Sequence, residues 1–364
     1  MEKKLGISVY IENATIEENI NYIQLAASYG FKRIFTCLIS VNGKSIDETI
    51  KEFKFLTSCA NKHNMEVIAD IDHTVFENYG ASIHELSFFK ELGLSGIRLD
   101  MGFSGLEESI MSCNPYGIKI ELNMSNGTKY VDNILSYRPN SENIIGCHNF
   151  YPRLYTGLSL NHFLMCSKQF KELGIRTAAF VNSKSASFGP WPVSEGLCTL
   201  EMHRNLPIEV QTKHLYASGL IDDVIIANAF ASEEELKKIS RLNKNMLQFN
   251  IQFVSNATEL DKKIVLEETH FNRGDVSEYV TRSTQSRVKY KGHEFPAYNI
   301  VDIKKGDIII DSSLYGRYAG ELQVALKDMK NTGKTNIVGK VVPEEIFLLD
   351  YIEPWSKFSF IEER

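Results

Sequence analysis

The stretch Ile144–Ser159 reads Ile-Ile-Gly-Cys-His-Asn-Phe-Tyr-Pro-Arg-Leu-Tyr-Thr-Gly-Leu-Ser. It opens as a short apolar run, which predicts a buried strand. His148, Asn149, Tyr151, Arg153 and Tyr155 follow at once, with Pro152 and Gly157 breaking the backbone. A buried strand that runs into a loop dense in hydrogen-bonding and aromatic groups is what a barrel enzyme places at the C-terminal mouth of a strand. The plainer alternative is a surface loop that covers the core. Five such side chains within eight residues exceed what covering requires.

The same alternation of apolar run and amphipathic segment extends outward from this stretch. Strands are predicted over 5–12, 33–40, 66–71, 96–101, 117–122, 143–148, 177–181 and 223–227. Helical spacing lies between them, as in 45–62, 82–91 and 160–173, and Thr15 with Glu18 forms a capping-box pattern at the head of the first helix. Eight strand-then-helix units in about 240 residues is the arithmetic of a (β/α)8 TIM barrel. An open doubly wound sheet competes, but no Gly-x-Gly-x-x-Gly follows the first strand. After Asn245 the texture changes to short strand-like runs at 246–254, 263–267, 287–290, 300–303, 307–310 and 337–342. The chain therefore divides into a barrel, 1–244, and a smaller, mostly β domain, 245–364. No Pro/Gly/Ser linker separates them, so the two are expected to pack together.

Composition narrows the partners. A net charge of −6 on 364 residues leaves no basic footprint for nucleic acid. The nine His have no paired metal-ligand spacing, and neither a metal nor a cofactor is expected. The six Cys are scattered with no Cys-x-x-Cys, as in a reducing compartment. No apolar run reaches membrane-span length and the opening residues read as a strand, so a cytoplasmic protein without a membrane partner is expected. A homo-oligomer is left open.

Alternation also assigns faces. Ser8, Tyr10 and Glu12 share one face with Gly6, Asp70 and Asp72 with Ile68, Asp100 with Arg98, Glu121 and Asn123 with Lys119, and His148 with Gly146 and Phe150. The opposite faces of the first, third, fourth and fifth strands are apolar, as a helix-covered barrel exterior requires. Charges inside a barrel are costly unless paired. Either these groups form a self-satisfied ionic plug, with Arg98 and Lys119 as the cations, or they floor an active site whose acids are pushed apart in pKa. Asp70, Asp100 and Glu121, converging with Tyr, His and Asn, suit glycoside hydrolysis. Lys119 offers a rival, Schiff-base aldolase chemistry. A non-catalytic sugar-phosphate sensor using the same pocket is a third reading. In the second domain Arg282 and Arg317 are candidate clamps for a phosphate or carboxylate. Trp191, in a Gly-Pro-Trp-Pro loop, is a lid or an apolar anchor.

Arg98-Leu-Asp-Met-Gly-Phe103, Ile120-Glu-Leu-Asn-Met-Ser125, Cys147-His-Asn-Phe-Tyr-Pro-Arg153 with Tyr155-Thr-Gly-Leu158, and Gly316-Arg-Tyr-Ala-Gly-Glu-Leu322 together resemble the MupG-type 6-phospho-N-acetylmuramidases. The resemblance runs in order over nearly the whole chain. It implies a barrel followed by a cyclophilin-like β domain, and a cytoplasmic enzyme of peptidoglycan recycling and amino sugar metabolism. The implied reaction is hydrolysis of the β-1,4 bond of N-acetylmuramic acid 6-phosphate–N-acetylglucosamine, a phosphorylated disaccharide. Asp70, Asp100 and Glu121 are then the catalytic carboxylates. Ser8, Tyr10, Asn123, His148, Asn149 and Tyr151 would position the sugar, and Arg153, Arg282 and Arg317 would take the 6-phosphate or the lactyl carboxylate. Asp72-His73 departs from the Ser-Pro associated with this place in the family, which ranks Asp72 below Asp70.

Overall fold

The computed structural model describes residues 2–38, 46–72, 75–76, 79–186, 188–190, 193 and 195–363. The end expected for the second strand, and Trp191, lie outside them. The chain forms two compact units, Met1–Arg241 and Leu242–Arg364.

In the first unit eight parallel strands close a barrel in sequence order: β1 Lys4–Ser8, β2 Arg33–Cys37, β3 Glu66–Ile71, β4 Gly96–Leu99, β5 Lys119–Asn123, β6 Ile144–Cys147, β7 Arg176–Val181 and β8 Asp223–Ile226. A helix follows each strand before the next, which covers the exterior. The first, Ile16–Ser28, begins with the expected capping box of Thr15 and Glu18. The outward residues Ile7, Val67, Ala69, Ile97, Leu99, Ile120 and Leu122 are buried beneath this layer. Met101 is not, because β4 ends at Leu99 and leaves it 78% exposed.

The inside of the barrel is divided. Tyr10, Phe35, Cys37, Cys147, Ala178, Phe180 and Ile225 form an apolar cluster with Phe150 packed on it. Phe150 stands edge-on to Phe35 and Phe180, at centroid distances of 6.0 and 5.0 Å. The polar groups gather on β3, β4 and β5.

The facing of β6 is opposite to expectation. In the parallel register Glu121 pairs with Ile145 and Asn123 with Cys147, so Ile145 and Cys147 continue the inward row. A Cβ on Gly146 would strike Phe170 of the helix Leu160–Glu172. Both faces of Ile144–Cys147 are apolar, so alternation carried no orientation signal there.

The second unit is built on a seven-stranded sheet in the order β10-β15-β9-β14-β12-β13-β11. Its strands are β9 Leu247–Phe253, β10 His270–Phe271, β11 Val280–Ser283, β12 Asp307–Asp311, β13 Leu322–Ala325, β14 Thr335–Val341 and β15 Lys357–Glu362. Two expected strands are helices. Glu259–Glu267 starts at a Thr258–Asp261 capping box and buries Ile264 and Val265. Gln285–Lys289 is set by Ser286, whose hydroxyl donates to Gly320 O at 2.7 Å. The third, 300–303, contributes only an isolated bridge from Ile303 to Met329. Among the described residues no helix is long and apolar enough to cross a membrane.

Candidate active site at the barrel mouth

The polar interior has two levels. At the lower one Arg33, inward on β2, crosses the barrel. Its Nη1 donates to Asp223 Oδ2 on β8 at 2.8 Å and its Nη2 to Glu121 on β5. Arg176 Nε also reaches Asp223 Oδ2, at 2.9 Å. Burial pushes the Asp223 carboxyl up, but Arg176 and Arg33 outweigh it and hold the carboxyl below its ordinary value. Arg33, Glu121 and Asp223 are all buried. Such a cluster is tolerable only because each charge is matched. Glu121, read from the sequence as a catalytic carboxylate, is thus a buried counter-charge in the floor.

Lys119 is not part of this interior. It opens β5, at the end away from the mouth, and its Nζ donates to Glu142 O at 2.9 Å and Asn143 Oδ1 at 3.0 Å. The expected pairing of Lys119 with the carboxylates is absent. A Schiff-base lysine needs access to substrate at the mouth, and Lys119 has none.

The upper level is organised by Arg98. Its Nη1 donates to Asp70 Oδ1 at 2.7 Å and to Asp100 Oδ1 at 3.3 Å, and its Nη2 to Asn149. One buried guanidinium therefore gathers the ends of β3 and β4 and the loop after β6. Burial opposes the Arg98 charge, yet Asp70, Cys147 and Asp100 hold its pKa above the ordinary value. Burial also pushes the Asp70 carboxyl up to about 6, with Arg98 opposing. The Asp70 side chain is 14% exposed and that of Asp100 46%, so both carboxyls reach solvent. Asn123 Nδ2 lies 3.3 Å from Asp100 O and 3.5 Å from its carboxylate.

Ser125, which alternation did not single out, braces this level. Its hydroxyl accepts from Asn149 N at 2.8 Å, and its own N donates to Asn123 Oδ1 at 2.9 Å. Tyr151 stands beside Ser125 and Arg98, and burial raises its hydroxyl pKa. The loop onward is pinned by Glu201, which accepts from Tyr155 N at 3.0 Å and Gly157 N at 2.8 Å. Arg204 holds Glu201 from behind at 2.6 Å and donates to Tyr151 O at 3.0 Å. The Arg204 hydrogen bond, chiefly, lowers the Glu201 pKa to about 2. Arg153 is exposed beyond this brace, and no ion pair among the described residues engages it.

Three expected sugar contacts present no side-chain surface to a ligand. Ser8 donates to Ile226 O at 2.7 Å and Tyr10 to Ala227 O at 2.6 Å, both fully buried. They tie β1 to the end of β8. His148 points out of the barrel, between Ser125 Oγ at 3.2 Å and Ser167 Oγ at 2.8 Å, against the Phe163 ring. Burial lowers its pKa to about 3, so it is a neutral packing residue. Arg282 and Arg317 belong to the second unit. Arg282 Nε donates to Glu321 Oε1 at 2.8 Å, and Arg317 is exposed with its guanidinium on Tyr318. Arg33 would have been found by carrying the alternation to β2, where Arg33, Phe35 and Cys37 share a face. Among the described residues no group of three or more His, Cys, Asp or Glu is placed to hold a metal ion.

A family model described as the 6-phospho-N-acetylmuramidase N-terminal family matches residues 5–241, and the C-terminal family of the same name matches 247–361. The chain belongs to the 6-phospho-N-acetylmuramidase family. This 6-phospho-N-acetylmuramidase family member is 52% identical to an uncharacterized B. cereus protein, with each chain covered in full and a TM-score of 0.93. It is 27% identical to a conserved Enterococcus faecalis protein of unknown function, covering 99% of this chain and 96% of the other, with a TM-score of 0.73. No curated protein matches it.

Proposed function

We propose that the chain is a glycosidase that cleaves the β-1,4 bond of N-acetylmuramic acid 6-phosphate–N-acetylglucosamine in the cytoplasm, during recycling of peptidoglycan. The observation that carries this reading is the pair of solvent-reaching carboxyls, Asp70 and Asp100, held by one Arg98 at the mouth of a family barrel. A carboxyl with a pKa of about 6 keeps its proton long enough to serve as general acid, which is the role of Asp70. Asp100, more exposed and 3.3 Å from the same guanidinium nitrogen, is the partner carboxyl that meets the sugar. Asn123 beside Asp100, Asn149 on Arg98, and Tyr151 beside Arg98 and Ser125 are the side chains that would orient the sugar hydroxyl and amide groups. Arg153, exposed on the loop after β6, is the cation this unit offers to the phosphate or the lactyl carboxylate.

The test is incubation with a chromogenic β-N-acetylmuraminide 6-phosphate beside the same compound without phosphate. Release from the phosphorylated compound alone is expected. Release from both discards the phosphate requirement, and binding without release overturns the hydrolase.

A further inference from the structure

Asp100 stands one residue past the end of β4, on the loop that leads into the helix Leu106–Ser112. Its side-chain contacts are long, 3.3 Å to Arg98 Nη1 and 3.5 Å to Asn123 Nδ2. Met101, next in the chain, is exposed and gives the loop no apolar anchor. The place of the Asp100 carboxyl therefore depends on the backbone that follows it.

That backbone is gripped by one carboxylate. Glu108 is fully buried, and it accepts from Phe103 N on Oε1 and from Gly105 N on Oε2, the latter at 2.8 Å. A Glu at the third position of a helix commonly turns back to the amide that precedes the first turn, as Glu108 does to Gly105. The bond to Phe103 goes further and carries the grip two residues nearer to Asp100. The Tyr130 hydroxyl donates to the same Oε1. Burying a carboxylate is costly unless it is hydrogen-bonded, and these three donors offset that cost. Burial, and then Glu108, raise the Tyr130 pKa, which keeps its hydroxyl a donor.

Tyr130 comes from the helix Tyr130–Ser136, which follows β5. It lies so close to the loop that a Cβ at Gly102 would stand 1.7 Å from its hydroxyl oxygen. Asn133 shares its face of the helix, three residues on, and donates from Nδ2 to Ser104 O at 2.7 Å. The loop 102–105 is thus clasped between the helix it enters and the helix after the next strand.

We propose that Tyr130 and Glu108 are positioning residues for Asp100, fixing its carboxyl beside Arg98 through the loop 102–105. The inference rests on the reading of Asp100 as one of the catalytic pair.

The experiment is steady-state turnover of the chromogenic β-N-acetylmuraminide 6-phosphate by the full chain carrying Tyr130→Phe, Asp100→Asn or both, each checked for folding by circular dichroism. Phenylalanine keeps the ring on Gly102 and removes only the hydroxyl. Tyr130→Phe should lower kcat by about 10–10²-fold, with KM held within about twofold. In the Asp100→Asn background the same change should cost less than about twofold, because it acts through a carboxyl that is no longer there. Asn133→Ala, at an exposed side chain, should lower kcat in the same sense, and takes the place of Tyr130→Phe if that variant does not fold. Wild-type kcat, a rise in KM alone, or an equal loss in both backgrounds overturns the positioning role. A wild-type chain without turnover, or an Asp100→Asn chain with full turnover, overturns the reading of Asp100 and the positioning role with it.

Discussion

Asp70 accepts a hydrogen bond from Arg98 Nη1 at 2.7 Å, and burial still pushes its carboxyl up to about 6. A general acid acts only while protonated, so kcat/KM should fall as pH rises through about 6. Arg98 opposes the upward shift, so Arg98→Gln should move that alkaline limb to higher pH while lowering kcat. A pH–rate profile whose limb is unmoved in the variant would show that another group sets it. The same shift affects stability. Between the unfolded value of about 4 and the folded value of about 6, the folded chain holds a proton that the unfolded chain has lost. Stability therefore declines with rising pH across that window. Denaturant unfolding of Asp70→Asn should lack this part of the decline.

With Asp70 and Asp100 as the proposed catalytic pair, their shared contact with Arg98 Nη1 predicts the stereochemistry. That nitrogen bonds one oxygen of Asp70 at 2.7 Å and one of Asp100 at 3.3 Å, so those oxygens lie at most about 6 Å apart. Retaining glycosidases keep their carboxyls about 5 Å apart, whereas inverting ones leave about 6.5 Å or more for a water. The first-formed N-acetylmuramic acid 6-phosphate should be the β anomer. Proton NMR of the anomeric region during early turnover reads this directly, and an initial α signal would move the catalytic pair elsewhere.

How far these residues could be read from the sequence depends on what each strand reveals. On β3 to β5 one face is apolar and the other polar, so alternation alone turns Asp70, Arg98 and Glu121 inward, and the registers Asp70–Arg98 and Arg98–Glu121 agree. On β6 both faces are apolar, so alternation groups His148 with Gly146 and Phe150 but cannot orient that row, and His148 packs against Phe163 instead of facing inward. Depth was invisible as well. Nothing in spacing along β5 says that Glu121 reaches Arg33 across the barrel rather than a substrate. Ser8 and Tyr10 failed for a related reason, since a hydroxyl that ends on a backbone carbonyl looks the same in sequence as one that meets a sugar. In the second unit, Glu259–Glu267 and Gln285–Lys289 are short helices whose apolar residues also fit a strand, and tertiary burial decides between them.

The Glu201 brace should be felt in the loop that carries Tyr151 and Arg153. Its carboxyl pKa is lowered to about 2, mainly by the Arg204 hydrogen bond. A depressed folded value means the stabilisation is present above the unfolded value of about 4 and is lost as pH falls toward 2. Glu201→Gln keeps the shape but removes the charge. Amide hydrogen exchange at Tyr155 and Gly157 should accelerate in this variant at neutral pH, with KM rising more than kcat falls. Unchanged exchange would leave the loop held by other contacts.

Glu121 and Asp70 should separate into a stability residue and an activity residue. Both are carboxylates on the inner face of the barrel, but Glu121 is buried against Arg33 while Asp70 reaches solvent beside Asp100. Asp70→Asn should lower kcat by about 10²–10⁴-fold, the range for a lost general acid, with little loss of stability at neutral pH. Glu121→Gln leaves Arg33 with Asp223 alone, and removing one member of a buried ion cluster costs about 3 kcal/mol. Its unfolding midpoint should fall accordingly, and the fraction that remains folded should turn over substrate at close to the wild-type rate. Thermal unfolding followed by calorimetry, with kcat measured per folded molecule, distinguishes the two. A Glu121→Gln protein of wild-type stability and orders-of-magnitude lower kcat would return Glu121 to the chemistry and overturn the two-level arrangement of the barrel interior.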